Sequence, residues 1–256
     1  MSASAAPDFL VVIPARLAST RLPRKPLANI GGKPMVVRVA EQAKKSLAQS
    51  VVVATDSPEI QAVCDEYRIE CLLTSENHPT GTDRLAEVAH LLKLPNNALV
   101  VNVQGDEPLI PPELINQVAQ TLSDHAECAI STVAVRIDDE AEIQNPNVVK
   151  VVLNRSGEAL YFSRAAIPFV RDADKEHKNS PVTHLRHLGI YAYRAEFLQA
   201  YTRLDPAPPE QAEALEQLRA LWNGYRIAVH ISDQAPPVGV DTPEDLERVR
   251  IAFNAS

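Results

Sequence analysis

At 256 residues the chain lies near the upper size for one hydrophobic core and can bury on the order of 70 to 75% of its unfolded surface, so a single domain with room for a small lobe is expected. A composition of 45% hydrophobic and 23% charged residues excludes a disordered or fibrous protein, and a net charge of -8 excludes a broad nucleic-acid-binding face. Cys64, Cys71 and Cys128 are an odd set without CxxC spacing, so neither a disulfide framework nor a zinc site is indicated and a reducing compartment fits.

The start, MSASAAPDFLVVIPAR, has no basic residue before an apolar run that Pro14 breaks, and no stretch approaches the roughly 20 apolar residues of a membrane span. A cytoplasmic protein is expected. Short apolar runs then alternate with helix-spaced segments, the pattern of βαβ units around a buried parallel sheet. FLVVI (9–13), VVVAT (51–55), ECLLT (70–74) and ALVVNV (98–103) read as strands buried on both faces. PMVVRVAEQAKKSLAQ, SPEIQAVCDEY and TDRLAEVAHLL between them read as helices. From AISTVAV (129–135) the helices thin out, and VVKVVL, ALYFS and HLGIYAYR suggest antiparallel strands joining the sheet or forming a lobe. Helices are expected at about 195–203 and 210–223, then RIAVHI as a strand. The last helix has Thr242 as N-cap, Pro243, Glu244 and Asp245 in its first turn, and Leu246, Val249 and Phe253 on one face. The polar segment 171–184 is expected to be a mobile loop.

From Phe9 to Ala40 there is no acidic residue, whereas an even spread would place about four there, and six basic ones are present. The run follows the first strand, where open α/β sheets bind ligands, and precedes a helix whose first turn is expected to hold Gly31, Gly32 and Pro34. It reads as a phosphate cradle, although neither GxxxxGK[ST] nor GxGxxG occurs. In VNVQGDEP, Gln104, Gly105 and Asp106 end the fourth strand, and Asp106 is either a hard-oxygen ligand for Mg2+ or a turn former. Asp241 stands at a second such junction, as a ligand or a helper of the helix cap. TGTDR and VATDS offer Thr82, Gly81 and Asp56 either to a nucleoside or to ordinary capping. Arg164, Arg186 and His187 are candidates for an acidic substrate, Glu216 and Gln217 for sugar hydroxyls, and each has a bland structural alternative. The tyrosines and Trp222 read as packing.

Taken together, IPARLASTRLPRKPLANIGGKPM, VATD, TGTDRLAEV, VNVQGDEPLIPP, NPNVVKVV, ALYFSRAAIP, LRHLGIYAYR, LEQLRALW and GVDTPEDLERVR resemble, in order over about residues 9–253, the 3-deoxy-manno-octulosonate (Kdo) cytidylyltransferases. The resemblance implies one domain of the nucleotide-diphospho-sugar transferase fold, a mixed, mostly parallel sheet flanked by helices with a small antiparallel lobe. Its nucleotide part would span about 9–125 and its sugar-acid part about 126–256. It implies transfer of CMP from CTP to Kdo with release of pyrophosphate, activating Kdo for lipopolysaccharide synthesis, with Mg2+ as cofactor and a homodimer as assembly. By matching motif, Arg16, Ser19 and Lys25 would hold the triphosphate and Asp106 and Asp241 the Mg2+. Asp56, Gly81, Thr82 and Arg84 would surround the nucleoside, and Gln104, Arg164, His187, Glu216 and Gln217 the sugar acid. One departure is LPRKPL where the family usually has LPGKPL; Arg24 makes a left-handed backbone there less favourable. Other readings are a cytidylyltransferase for a related acid, a silent nucleotide-sugar sensor on the same fold, and a nicotinamide oxidoreductase, the last disfavoured by the missing GxGxxG.

Overall fold

In the computed structural model, which describes residues 6–18, 22–171 and 183–254, the first apolar run forms β1 (Phe9–Ala15) in the interior of the sheet. Phe9, Val11 and Ile13 enter one apolar cluster and Leu10 and Val12 another, so β1 is covered on both faces, as its unbroken apolar run implies. Each fully buried valine or isoleucine contributes about 1.5–3 kcal/mol. After a short helical turn at Lys25–Leu27 come the hairpin β2 (Asn29–Ile30) and β3 (Lys33–Pro34), α1 (Met35–Ala43), β4 (Ser50–Thr55), α2 (Pro58–Glu66), β5 (Glu70–Leu73), α3 (Gly81–Leu91) and β6 (Leu99–Asn102). β5, β4, β1 and β6 lie side by side in parallel. The expected burial of 70–74 on both faces does not hold: β5 is the edge of the sheet, and Glu70 and Leu73 are exposed.

The second half contains α4 (Pro112–Asp124), β7 (Ile130–Arg136), α5 (Glu140–Gln144), β8 (Lys150–Leu153), β9 (Ala159–Ser163), β10 (Leu185–Arg194), α6 (Ala195–Tyr201), α7 (Pro208–Glu213), α8 (Gln217–Trp222), β11 (Ile227–Ser232) and α9 (Pro243–Asn254). The sheet runs β11-β7-β10-β6-β1-β4-β5, with β10 antiparallel to both neighbours and the β8–β9 hairpin joined to its start. The result is the expected mixed, mostly parallel sheet with a small antiparallel part. α1, α2, α4 and α9 cover one face; α3, α6 and α8 cover the other. The sequence reading passes over α4, although Leu114, Ile115, Val118, Ala119 and Leu122 give it a buried stripe. The single helix expected over 210–223 is instead broken, with Ala214 left-handed at φ 52 between α7 and α8. At α9 the expected cap is present: Asp245 N–H donates to Thr242 Oγ1 at 3.2 Å, and Thr242 N–H to Asp245 Oδ2 at 2.8 Å. Among the described residues no helix is long and apolar enough to cross a membrane.

Two expectations about the basic run are corrected. Gly31 and Gly32, at φ 55 and 82, turn the β2–β3 hairpin rather than opening a helix. Arg24 does adopt the left-handed region, at φ 57 and ψ 31, and its guanidinium meets Glu59 in the first turn of α2. Relief of the left-handed penalty, about 1–2 kcal/mol, outweighs an exposed ion pair worth at most about 1 kcal/mol and offsets the entropy of a glycine. Arg24→Gly is therefore expected to leave thermal stability equal or higher by up to about 1 kcal/mol; a clear loss in a melting experiment would contradict this.

Candidate active site

The cleft is built where β1 and β6 end. Pro14 cannot donate to a ladder, and it stands just past Val12–Asn102, the last β1–β6 pair. There the chain after β6 crosses against β1: a Cβ on Gly105 would lie 2.7 Å from the Pro14 carbonyl oxygen, so only glycine permits the approach. Glu107 N–H closes this turn on Gln104 O at 3.2 Å. The segment before α9 is then fastened to it, because Val240 N–H donates to Asp106 O at 2.8 Å and Gly239 lets the strands of chain close up. Asp106 and Asp241, far apart in sequence, thereby face one point. Lys25 Nζ stands there, 2.6 Å from Asp106 Oδ2 and 3.2 Å from Asp241 Oδ1. Burial by itself would lower the Lys25 pKa, but the two carboxylates together raise it above the ordinary lysine value. Burial, with the charge of Asp106 second, pushes the neighbouring Glu107 up to about 8. Arg16 lines the same cleft, of about 390 Å³, and its Nη2 donates to His78 O at 2.7 Å and Thr80 O at 3.3 Å.

Gly81 and Gln104 are shared with a second cavity of about 280 Å³, which is lined by Thr82, Asn102, Glu216 and Gln217 and by Tyr191, Tyr193, Phe197 and Tyr201. Thr82 Oγ1 donates to Glu216 Oε2 at 3.3 Å, yet burial dominates and raises the Glu216 pKa. Asn102 Oδ1, Tyr201 OH and Gln217 Nε2 are buried without a hydrogen-bond partner among the described residues. Such groups each cost about 1–3 kcal/mol when left unmade, and a ligand rich in hydroxyls would satisfy them. These tyrosines and Asn102 were not assigned to a site by the sequence, whose only signal was Tyr191 and Tyr193 sharing one face of a strand.

The cytidylyltransferase family model matches residues 10–227. A 3-deoxy-manno-octulosonate cytidylyltransferase of Polynucleobacter necessarius subsp. necessarius is 83% identical over 96% of this chain and 96% of its own, and that of Polynucleobacter asymbioticus is 81% identical over 97% of each. The chain belongs to the 3-deoxy-manno-octulosonate cytidylyltransferase family. A solved CMP:2-keto-3-deoxy-manno-octonic acid synthetase complexed with CTP has a TM-score of 0.89 at 41% identity, covering 97% of this chain and 99% of that one.

Not every residue carried over from the cytidylyltransferase motifs reaches the cleft. Arg84 is fully buried; its Nη2 holds Asp56 Oδ2 at 2.7 Å and its Nη1 holds Thr74, so the pair braces the end of β4 against α3 and neither residue lines the two cavities. Asp56 does not cap α2 either, because Ser57 does. Arg164 is directed at backbone, with Nε on Glu213 O at 2.7 Å and Nη1 on Pro146 O at 3.1 Å, and it lines neither cavity. Arg186 is paired with Glu142 at 2.7 Å. Ser19, Arg21 and most of the loop expected at 171–184 lie outside the described residues. Of the described basic residues in the acid-free run, Arg16 and Lys25 line the cleft, whereas Lys33 pairs with Glu41 and Arg38 holds the carbonyls of Ile30 and Gly31.

His187 lies just beyond the second cavity, in an adjoining pocket that shares Gly189, Tyr191 and Gln217 with it. A bulge in β10 between Leu188 and Tyr191 shapes this wall, and Thr132 Oγ1 serves it by donating toward Ile190 O (2.7 Å) while Nε2 of His187 lies 2.9 Å away. Burial depresses the His187 pKa to about 3, so its ring is neutral near pH 7. An unfolded histidine takes a proton at about 6.5, so the stability this residue supports is present above that pH and is lost as pH falls from about 6.5 toward 3. His187→Gln is expected to flatten that part of the profile, measured as urea midpoints between pH 7 and pH 4.

Proposed function

We propose that this protein transfers CMP from CTP to the anomeric hydroxyl of Kdo, releasing pyrophosphate, and that it does so with Mg2+. The observation that carries the reading is the meeting of Asp106, Asp241 and Lys25 at the mouth of a cleft that adjoins a hydroxyl-seeking cavity. The names of its relatives and the CTP bound in a neighbour 41% identical to it support the choice of substrates.

The residues present suit a magnesium ion, which takes one or two carboxylates and completes its shell with water and phosphate oxygens. Asp106 and Asp241 supply hard oxygens that already converge on a positive charge, and both are partly open to the cleft. Bound there, Mg2+ would neutralise phosphate oxygens and lower the pKa of the attacking hydroxyl. Lys25, on a flexible stem beside the carboxylates, is placed to turn its ammonium to the triphosphate and stabilise charge growing on the departing pyrophosphate. Arg16, anchored through Nη2 on the carbonyls of His78 and Thr80, lines the same cleft and would add a second positive charge to the triphosphate site. In the second cavity Glu216, Gln217, Asn102 and Tyr201 would orient the sugar by its hydroxyls, so that the anomeric oxygen bonds to the α-phosphorus as the bond from that phosphorus to the bridging oxygen breaks. No side-chain nucleophile is required.

A homodimer and a cytoplasmic location complete the proposal; the described thiols are all free, in keeping with a reducing compartment. The test is pyrophosphate release with CTP, Kdo and Mg2+, each omitted in turn, and with sialate replacing Kdo. Release that needs all three and prefers Kdo is expected; release without any sugar, or a preference for sialate, would overturn the reading.

A further inference from the structure

Residues 211–222, QAEALEQLRALW, contain no glycine or proline and consist largely of strong helix formers, yet the chain breaks at Ala214. Alanine is the best helix former, and it is held here in a left-handed conformation, at φ 52 and ψ 52. A break against propensity needs a compensating interaction. It is found in a buried pair that spans the break: Arg219 Nε lies 2.8 Å from Glu210 Oε2 and Nη2 lies 2.5 Å from Oε1, and Oε2 also accepts Ala207 N–H at 2.9 Å. In one continuous helix, nine residues would set the two side chains about 13 Å apart along the axis and on opposite faces. The pair and the unbroken helix therefore exclude each other.

The break delivers Glu216 and Gln217 to the second cavity. α7 is itself tied to the lobe, since Glu213 accepts from Ser163 Oγ at 2.6 Å and from Arg164 N–H at 2.9 Å. The Arg219 guanidinium also lies over the ring of Tyr201, 4.6 Å from its centre, and Tyr201 is part of the cavity wall. We propose that Glu210 and Arg219 are positioning residues for the sugar acid: their two-pronged pair holds the chain break that turns Glu216 and Gln217 toward it. The inference rests on the reading of this cavity as the sugar-acid site.

Arg219→Lys keeps the charge but loses the planar fork, and Glu210→Gln keeps the shape but loses the charge; the two are different enough that one can carry the test if the other fails to fold. In the full-length protein, well below its melting temperature, each is expected to raise KM for Kdo at least tenfold while KM for CTP stays within about twofold. A fall in melting temperature with both KM values unchanged would make the pair purely structural and overturn the proposal. Glu216→Ala, assayed alongside, separates the two failures. If it too leaves KM for Kdo unchanged, the cavity has been misassigned; if it alone raises KM, the clamp is refuted.

Discussion

Asp106→Asn is expected to reduce pyrophosphate release by roughly a thousandfold or more, which is about 4 kcal/mol on the barrier, with the fold retained. The substitution keeps size and hydrogen bonding but removes one of the two negative charges that meet at the cleft mouth. An amide oxygen is a poorer partner for a hard divalent cation than a carboxylate. Stability should change little. The Asp106 carboxylate is partly exposed and its backbone carbonyl, not its side chain, fastens the segment before α9. A melting shift of a few degrees, the scale of about 1 kcal/mol in a chain of this size, is therefore expected. Activity within tenfold of the parent would remove Asp106 from the chemistry.

Lys25→Met should have the next largest effect, a loss of roughly a hundredfold or more in kcat/KM for CTP, because in the proposed mechanism its ammonium stabilises charge developing on the departing pyrophosphate. It also leaves Asp106 and Asp241 facing each other without the ammonium between them. Without divalent cations the variant is expected to melt below the parent, and Mg2+ should raise its melting temperature more than it raises the parent's. The pH dependence has a definite sign. The folded pKa of Lys25 is raised, so its contribution is complete below the unfolded value of about 10.4 and fades only as pH rises through the folded one. The stability gap between parent and variant should then stay constant from pH 7 to pH 9.

How far the sequence revealed this site depends on the distance over which each residue acts. Strand-forming runs such as Phe9–Ala15 and the Thr242 cap are local, and their positions follow from composition and spacing. Asp106 and Asp241 were visible as carboxylates at the ends of apolar runs, but their meeting depends on Gly105 crossing Pro14 and on the bond from Val240 to Asp106, which no spacing encodes. From charge alone the run was legible only as a cluster, and it was the resemblance that singled out Arg16 and Lys25; among the described residues Arg24, Lys33 and Arg38 find partners in the surrounding structure while Arg16 and Lys25 line the cleft. Arg84 shows a related limit of motif reading. A motif identifies the residue, whereas the choice between touching a ligand and bracing Asp56 is made by burial. At Ala214 local propensity favours a helix, and the pair of Glu210 with Arg219, nine residues apart across the break, prevails.

If Asp106 and Asp241 grip one divalent cation, as proposed, Mn2+ binding in the presence of CTP, followed by the electron paramagnetic resonance of the unbound ion, reveals it without relying on turnover. Asp106→Asn and Asp241→Asn should each weaken Mn2+ binding at least tenfold relative to the parent, whereas Arg24→Gly should not change it. Unaltered Mn2+ affinity in either aspartate variant would contradict the account.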